Sequence, residues 1–208
     1  MTEAVPAGAL HAPHSLRNRE PILAVLKRFL AGAHAVIEIG CGPGEQAPFF
    51  AAALPHLDWL PADIDAAAMA SAAKWREASG LTNVLAPLCL DVTRHPWALP
   101  AGFSPDAIVS INMLHIAPFA ASEGLFAGAG RILPAGGTVF LYGPFKVEGM
   151  HTAPSNAVFD QNLRARDPAW GIRDIEAIIA LARSNGLVHR ETVAMPANNH
   201  GAVFVKES

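Results

Sequence analysis

Residues 36–46 read VIEIGCGPGEQ, an apolar run with one acid inside it and then glycines at 40, 42 and 44. Ordering three glycines this close together costs chain entropy, so the local backbone must have a use for them. Three readings fit: a nucleotide phosphate approaching the main chain, an adenosyl group without phosphates, or a bare structural turn. The flanks favour a ligand loop, because HAVIEI (34–39) reads as a short strand and PFFAAAL (48–54) as a helix. In open α/β sheets the ligand sits at the carboxyl ends of the strands, beside the first strand–helix turn.

The loop fits two registers. Gly42-Pro-Gly44-Glu-Gln-Ala47 matches the G-x-G-x-x-A of dinucleotide-binding folds. Glu38-x-Gly40-x-Gly42-x-Gly44 matches the acid-x-G-x-G-x-G of S-adenosylmethionine-dependent methyltransferases. Asp63 closes the next strand, LDWLPAD (57–63), 19 residues past Gly44, where a carboxylate can accept both ribose hydroxyls. Asp65 is a near alternative. Asp91 ends VLAPLCLD (84–91), where class I methyltransferases place an acid near the adenine amino group; each acid is equally readable as a strand-end cap. RILPAGGTVFLY resembles the R-x-L-x-P-G-G turn before the fifth strand of that fold, and the tail reads as a closing pair of strands. A dinucleotide fold predicts none of these last three features.

Working outward, the first 14 residues read as loose, and Pro21 sits well in the first turn of a helix carrying Ile22, Leu23, Leu26, Phe29 and Leu30. Residues 66–79 read as a helix stopped by Gly80. Strand 106–112, helix 123–133, strand 136–143 and helix 172–185 follow, and LVHRETVAM and GAVFVKE close the chain, joined by PANNH. This alternation implies a mostly parallel sheet covered on both faces. Residues 144–171 break the pattern and read as a long irregular insertion, which in a compact domain is more often functional than accidental.

Bulk composition excludes several classes. The 208 residues are 51% hydrophobic and 16% charged, with net charge −3. That suits one domain burying roughly 70% of its extended surface, and it lacks the basic surplus of a nucleic-acid binder. The two cysteines, Cys41 and Cys89, lie in or beside apolar runs and read as reduced thiols. No signal-peptide pattern or membrane-length apolar run is present, so a cytoplasmic protein with no membrane partner is expected. No H-x-x-x-H or C-x-x-C spacing calls for a metal.

From Arg17 to the C-terminus the chain resembles the family of domain of unknown function 938, which includes methyltransferase-like protein 26. RNREPILAVL, DIDAAAMAS, INMLHI, EGLFAGAGRILPAGG, LYGPFK, HTAPSNAVFDQNLRARDPAWGIRD and MPANN carry the resemblance. It implies a single Rossmann-like class I methyltransferase domain over residues 15–208. Its sheet would be seven-stranded and mostly parallel, with a C-terminal antiparallel hairpin, and residues 144–171 would cover the cleft. It also implies an S-adenosylmethionine site at Glu38, Gly40, Cys41, Gly42, Asp63, Ile64, Asp91, Val92 and Asn112, with Arg17 and Asn18 near the methionine carboxylate. The chain departs from the family's usual A-S-G-x-G-Q-H loop, having Gln46 where a histidine is common, and His200 and Gly201 after MPANN are also unusual.

His115, after the fourth strand in INMLHI, reads as a general base, an adenine contact or a loop-fixing histidine. Tyr142, His151, Asn156, Asp160 and Trp170 are together the candidate substrate wall, though each of the four insertion residues alone reads more readily as a loop-stabilising group, and Tyr142 reads by default as a buried aromatic wall. Because a sulfonium carries its own activation, no catalytic constellation beyond one base is required. The sequence INML lacks the N/D-P-P-Y/F of base-amino methylation. The expected function is methyl transfer to a small molecule by a monomer or homodimer. A non-catalytic adenosyl binder and a NAD(P)-dependent oxidoreductase are the alternatives.

Overall fold

The computed structural model describes residues 5–207. The chain opens with α1 (Pro13–Phe29), β1 (Ala35–Ile39), α2 (Gln46–Ala53), β2 (Asp58–Asp63), α3 (Ala66–Ser79), β3 (Leu88–Cys89) and β4 (Ala107–Ile111). It continues through α4 (Phe119–Ile132), β5 (Thr138–Gly143), β6 (Phe145–Val147), β7 (Met150–His151), α5 (Pro154–Arg166), β8 (Arg173–Asp174), α6 (Ile175–Ser184), β9 (Leu187–Met195) and β10 (Asn199–Lys206). Seven strands are hydrogen-bonded in the order β3-β2-β1-β4-β5-β10-β9. β1 runs parallel to β2 and β2 to β3, whereas β10 is antiparallel to both β5 and β9. The expected mostly parallel sheet with a closing hairpin is therefore present.

The chain forms two compact units. The first contains the described residues up to Asp91 together with 98–109; the second contains 92–97 and the residues from 110 onward. In the first, β1 is buried along its whole length, as an inner parallel strand with both faces covered should be. Phe50 of α2 packs on Trp59 of β2 with ring centroids 5.4 Å apart. In the second, Phe126 of α4 meets Phe204 of β10 edge-to-face at 5.3 Å, and β9 alternates exposed and sheltered residues as an edge strand does.

Three expectations about elements are corrected. α1 begins at Pro13, so Pro21 lies inside the helix and not in its first turn. Pro13 takes the early position where a missing N–H costs nothing, and Pro21 only removes the donor for the carbonyl of Arg17. β3 is two residues long and not eight. Leu85 N and Leu90 N still bond to Trp59 and Asp63 carbonyls at 2.8 Å each, but Pro87 between them has no N–H to give, which interrupts this edge strand. Finally, residues 144–171 are not irregular: they hold β6, β7 and α5, and β6 joins β7 and β8 in a small second sheet.

Candidate functional site

In the first unit the glycine loop is fastened to the end of β2. Gly40 N and Cys41 N both donate to the Ala62 carbonyl, at 2.8 and 3.1 Å, and Gly44 N donates to the Cys41 carbonyl at 3.1 Å. Gly42 N donates to Asp63 Oδ2 at 2.9 Å. The three glycines have φ of 72°, 53° and 80°, in the left-handed region that side chains avoid. Their reasons differ. A Cβ on Gly44 would lie 2.3 Å from Ala72 Cβ on α3, so this glycine lets a helix and a loop touch. A Cβ on Gly42 would meet nothing within 4 Å, so the space above it is open.

Asp63 also accepts from Asp65 N through Oδ1 at 3.1 Å, and it is half-buried. Each oxygen retains a lone pair for a hydroxyl donor. Asp65 is committed elsewhere, capping α3 through Ala67 N at 2.9 Å. Ile64 between them is 63% exposed, an apolar side chain left beside the carboxylate. Asp91 is half-buried and already engaged with a partner.

Two members of the expected cofactor set turn inward. Glu38 is buried and accepts from Trp59 Nε1 at 2.8 Å. Burial pushes its pKa up to about 7, against the lowering effect of that bond. Cys41 is buried with Sγ 3.7 Å from the Gly42 carbonyl, and burial drives its thiol well above the ordinary range, so it is an inert packing thiol.

Residues outside the candidate list complete this loop. Glu45, at the start of α2, is buried, with Oε2 2.6 Å from His11 Nδ1 and the Ala12 amide 3.2 and 3.3 Å from its two oxygens. Leu10 N donates to Ser71 Oγ at 2.9 Å, that hydroxyl donates to the Pro43 carbonyl at 2.8 Å, and Trp75 Nε1 donates to the Leu10 carbonyl at 3.0 Å. Residues 10–12 are thus bound to the glycine loop and α3, although their Ala/Pro/His composition reads as loose. Arg17 is exposed and Asn18 half-buried on α1.

The second unit gathers the histidines. Asn112, at φ 62° after β4, donates its amide to the Tyr142 carbonyl at 2.8 Å. His115 follows and is buried, its ring edge-to-face on Phe159 of α5 at 5.5 Å. Burial first, and the Arg173 charge second, lower its pKa to about 4, so the imidazole is neutral near pH 7. Arg173 donates through Nε to the Leu114 carbonyl at 2.9 Å and through Nη2 to the carbonyls of Ala117 and Ala169. Val92 is buried. Tyr142 is buried on β5 and hydrogen-bonded to Asn199; burial raises its phenol pKa.

Of the insertion residues, Asp160 is a buried hub. Its Oδ1 accepts from Ile172 N at 2.7 Å, and its Oδ2 lies 3.2 Å from Lys146 Nζ, 3.3 Å from His151 Nε2 and 3.3 Å from Arg164 Nε. The amide bond and the Lys146 charge hold its pKa below the usual value, outweighing burial. Asn156 is buried and donates to Thr152 Oγ1 at 3.1 Å and the Asn198 carbonyl at 3.0 Å, tying α5 to the MPANN turn. Trp170 is half-buried under the Arg166 guanidinium, 5.4 Å from its ring centre. Asn156 and Asp160 therefore build the insertion, while His151 keeps a buried Nδ1 with no partner. Among the described residues no group of three or more His, Cys, Asp or Glu is placed to hold a metal.

The family model for the protein of unknown function DUF938 matches residues 10–206. The chain belongs to that family. Solved structures similar to it include the S-adenosylmethionine-dependent methyltransferase SibL in its apo form, at 21% identity and TM-score 0.77, covering 94% of this chain and 56% of that one. The mitomycin 7-O-methyltransferase MmcR matches at 16% identity and TM-score 0.79, over 93% and 54% of the two chains. An O-methyltransferase family 2 protein from Planctomyces limnophilus DSM 3776, in complex with apigenin, matches at 18% and 0.78, over 93% and 58%. The likeness establishes the class I methyltransferase fold. The chain spans little more than half the length of these structures. Among the described residues, no helix of this DUF938 protein is long and apolar enough to cross a membrane.

Proposed function

We propose that this DUF938 protein transfers a methyl group from S-adenosylmethionine to a small molecule. The observation that carries the choice of cofactor is Glu45. A dinucleotide pyrophosphate needs the amides at the start of the first loop helix, and the helix dipole favours it there. In this chain the residue that opens that helix, Glu45, carries a buried carboxylate fixed by His11 and the Ala12 amide, with no bond to the helix amides, so a negative charge already stands beside them. An adenosyl group, which brings no phosphate, meets no such repulsion. The open space above Gly42, the lone pairs of Asp63 and the bare side chain of Ile64 fit a ribose hydroxyl pair and an apolar base face.

The cofactor, when bound, supplies an activated methyl carbon. What remains for the protein is to orient the acceptor and receive a proton, and neutral His115 is the candidate for the second task. The insertion carrying α5 is the proposed wall of the acceptor site.

Melting temperature with added ligand tests this. Adenosylhomocysteine at about 100 times its dissociation constant stabilises the native state by roughly 2.7 kcal/mol, an expected rise of about 5–10 °C. NAD and NADP are expected to give none. A rise with NAD alone overturns the methyltransferase reading. Once an acceptor is in hand, His115→Asn is expected to lower turnover by roughly 10²–10⁴-fold with cofactor affinity unchanged; undiminished turnover leaves His115 a packing residue.

A further inference from the structure

In the second unit three permanent cations gather round one acid. Lys146 Nζ and Arg164 Nε lie 3.2 and 3.3 Å from the same oxygen of Asp160, Oδ2. Arg173 stands close enough for the charges of both Arg164 and Asp160 to act on it. Asp174, opposite Lys146 in the β6–β8 ladder, spends its oxygens on the Gly149 and Glu176 amides, and Glu176 accepts from Glu148 N. His151 shares the Asp160 oxygen through Nε2 at 3.3 Å. One carboxylate cannot offset three cations, so the cluster carries a surplus of positive charge.

The surplus is felt by the neighbouring groups. Burial first, and the Arg164 charge second, hold the Arg173 guanidinium below its ordinary pKa, and Asp160 only opposes them. The Arg173 charge in turn adds to burial in lowering the pKa of His115. Like charges this close repel, so packing alone does not account for their company. An anion from solution would relieve the repulsion.

The donors such an anion needs are in place. Arg173 has committed Nε and Nη2 to the carbonyls of Leu114, Ala117 and Ala169. Lys146 and Arg164 have donors to spare. Beyond the contact with Asp160, the ammonium keeps two N–H groups and the guanidinium keeps both terminal nitrogens. The Arg164 side chain is 48% exposed, and because both cations meet the same Asp160 oxygen, one small anion can reach them together. The guanidinium is also held in position. A Cβ on Gly171 would lie 2.7 Å from Arg164 Nη2 and 2.8 Å from its Cζ, so the bare backbone there lets the fork lie against the chain. Donors fixed beforehand cost less to order on binding.

We propose that Lys146 and Arg164 form a binding site for the carboxylate of a small organic molecule, held by charge-assisted hydrogen bonds from both side chains. The site lies within the second unit and stands whatever the glycine loop of the first unit binds. Two donor groups face the two oxygens of a carboxylate, the planar guanidinium matching it edge to edge. Arg173, with Nε and Nη2 already committed, does not complete the three-sided cradle that the oxygens of a phosphate would use.

The test uses the full chain and three probes that share a benzene ring: benzoate, benzamide and phenyl phosphate. Calorimetry at pH 7 is expected to show benzoate binding about tenfold or more tighter than benzamide, which has its shape without its charge, and weakening as salt is added. Arg164→Gln and Lys146→Met are each expected to lower benzoate affinity about tenfold and to leave benzamide unaffected. Arg166→Gln removes the same charge from the same helix but no contact with Asp160, and is expected to leave benzoate binding unchanged. Equal affinity for benzoate and benzamide, no benzoate binding, or an equal loss in Arg166→Gln overturns the site. Tighter binding of phenyl phosphate overturns the carboxylate assignment. The wild-type panel and Arg166→Gln decide this even where Lys146→Met folds poorly. No arm involves adenosylhomocysteine, so failure here leaves the methyltransferase reading standing.

Discussion

Gly42 and Gly44 belong to one motif and to different physics, and substitution should separate them. Alanine at either position sits at positive φ, which costs roughly 1–2 kcal/mol. At Gly44 the new methyl also runs into Ala72 Cβ, 2.3 Å away, adding roughly 1–3 kcal/mol of overpacking. Gly44→Ala should therefore lower the melting temperature of the ligand-free protein by clearly more than Gly42→Ala does. Gly42→Ala should fold, because its methyl enters open space, yet lose most of the stabilisation by adenosylhomocysteine. Equal melting points for the two, or a full ligand shift in Gly42→Ala, would contradict the distinction between a packing glycine and a ligand glycine. Sequence spacing cannot make that distinction, since both residues answer the same pattern. Glu38 shows the same limit: its place in the motif is legible, whereas its bond to Trp59 depends on β2 lying beside β1.

Among elements, those with buried apolar runs were legible and those with polar interiors were not. β1, β4 and β5 are buried throughout and read as continuous hydrophobic stretches, and α3 ends at Gly80 as read, in a left-handed cap at φ 63°. α5 escaped because its buried positions are Asn156, Asp160 and Leu163. Their spacing is helical, but two of the three are polar, so hydrophobic periodicity is blind to it. The same chemistry makes α5 depend on Asp160. Asp160→Ala strips the Ile172 amide of its acceptor, leaves Lys146 and Arg164 without a counter-charge and takes the partner from His151 Nε2. Because Arg164 is about half exposed, the expected loss is roughly 2–3 kcal/mol, between the values for surface and buried pairs. Hydrogen exchange should quicken across residues 145–172, at the Ile172 amide above all, while the Gly40 and Gly42 amides keep their protection. Uniform quickening over the chain would show that the hub does not act locally.

At the scale of the molecule, Glu38 and His115 set opposing dependences of stability on acidity. Glu38 has its folded pKa raised from 4.5 to about 7 by burial. As pH falls from 7 to 4.5 the folded chain takes up this proton and the unfolded chain does not, so stability rises. His115 has its folded pKa lowered from 6.5 to about 4. As pH falls from 6.5 to 4 the unfolded chain takes up that proton and the folded chain does not, so stability falls. Each effect amounts to roughly 3 kcal/mol over its full window, and between pH 6.5 and 4.5 the two nearly cancel. Asp160 and Asp174, with pKa values held below the ordinary 3.8, lose their contribution only at lower pH. His95 and His200, lowered by burial, tilt every variant alike in the sense of His115. Substitution should therefore unmask the opposed pair as a change of slope. In Glu38→Gln, the melting temperature should fall by about 5–10 °C more than in the wild type between pH 6.5 and 4.5. In His115→Asn it should rise relative to the wild type over the same interval. Thermal melts at half-unit pH steps would show this whatever the absolute stability of each variant. Three parallel profiles would mean that neither side chain changes its proton affinity on folding, which would contradict burial as the force that moves the pKa of Glu38 up and that of His115 down.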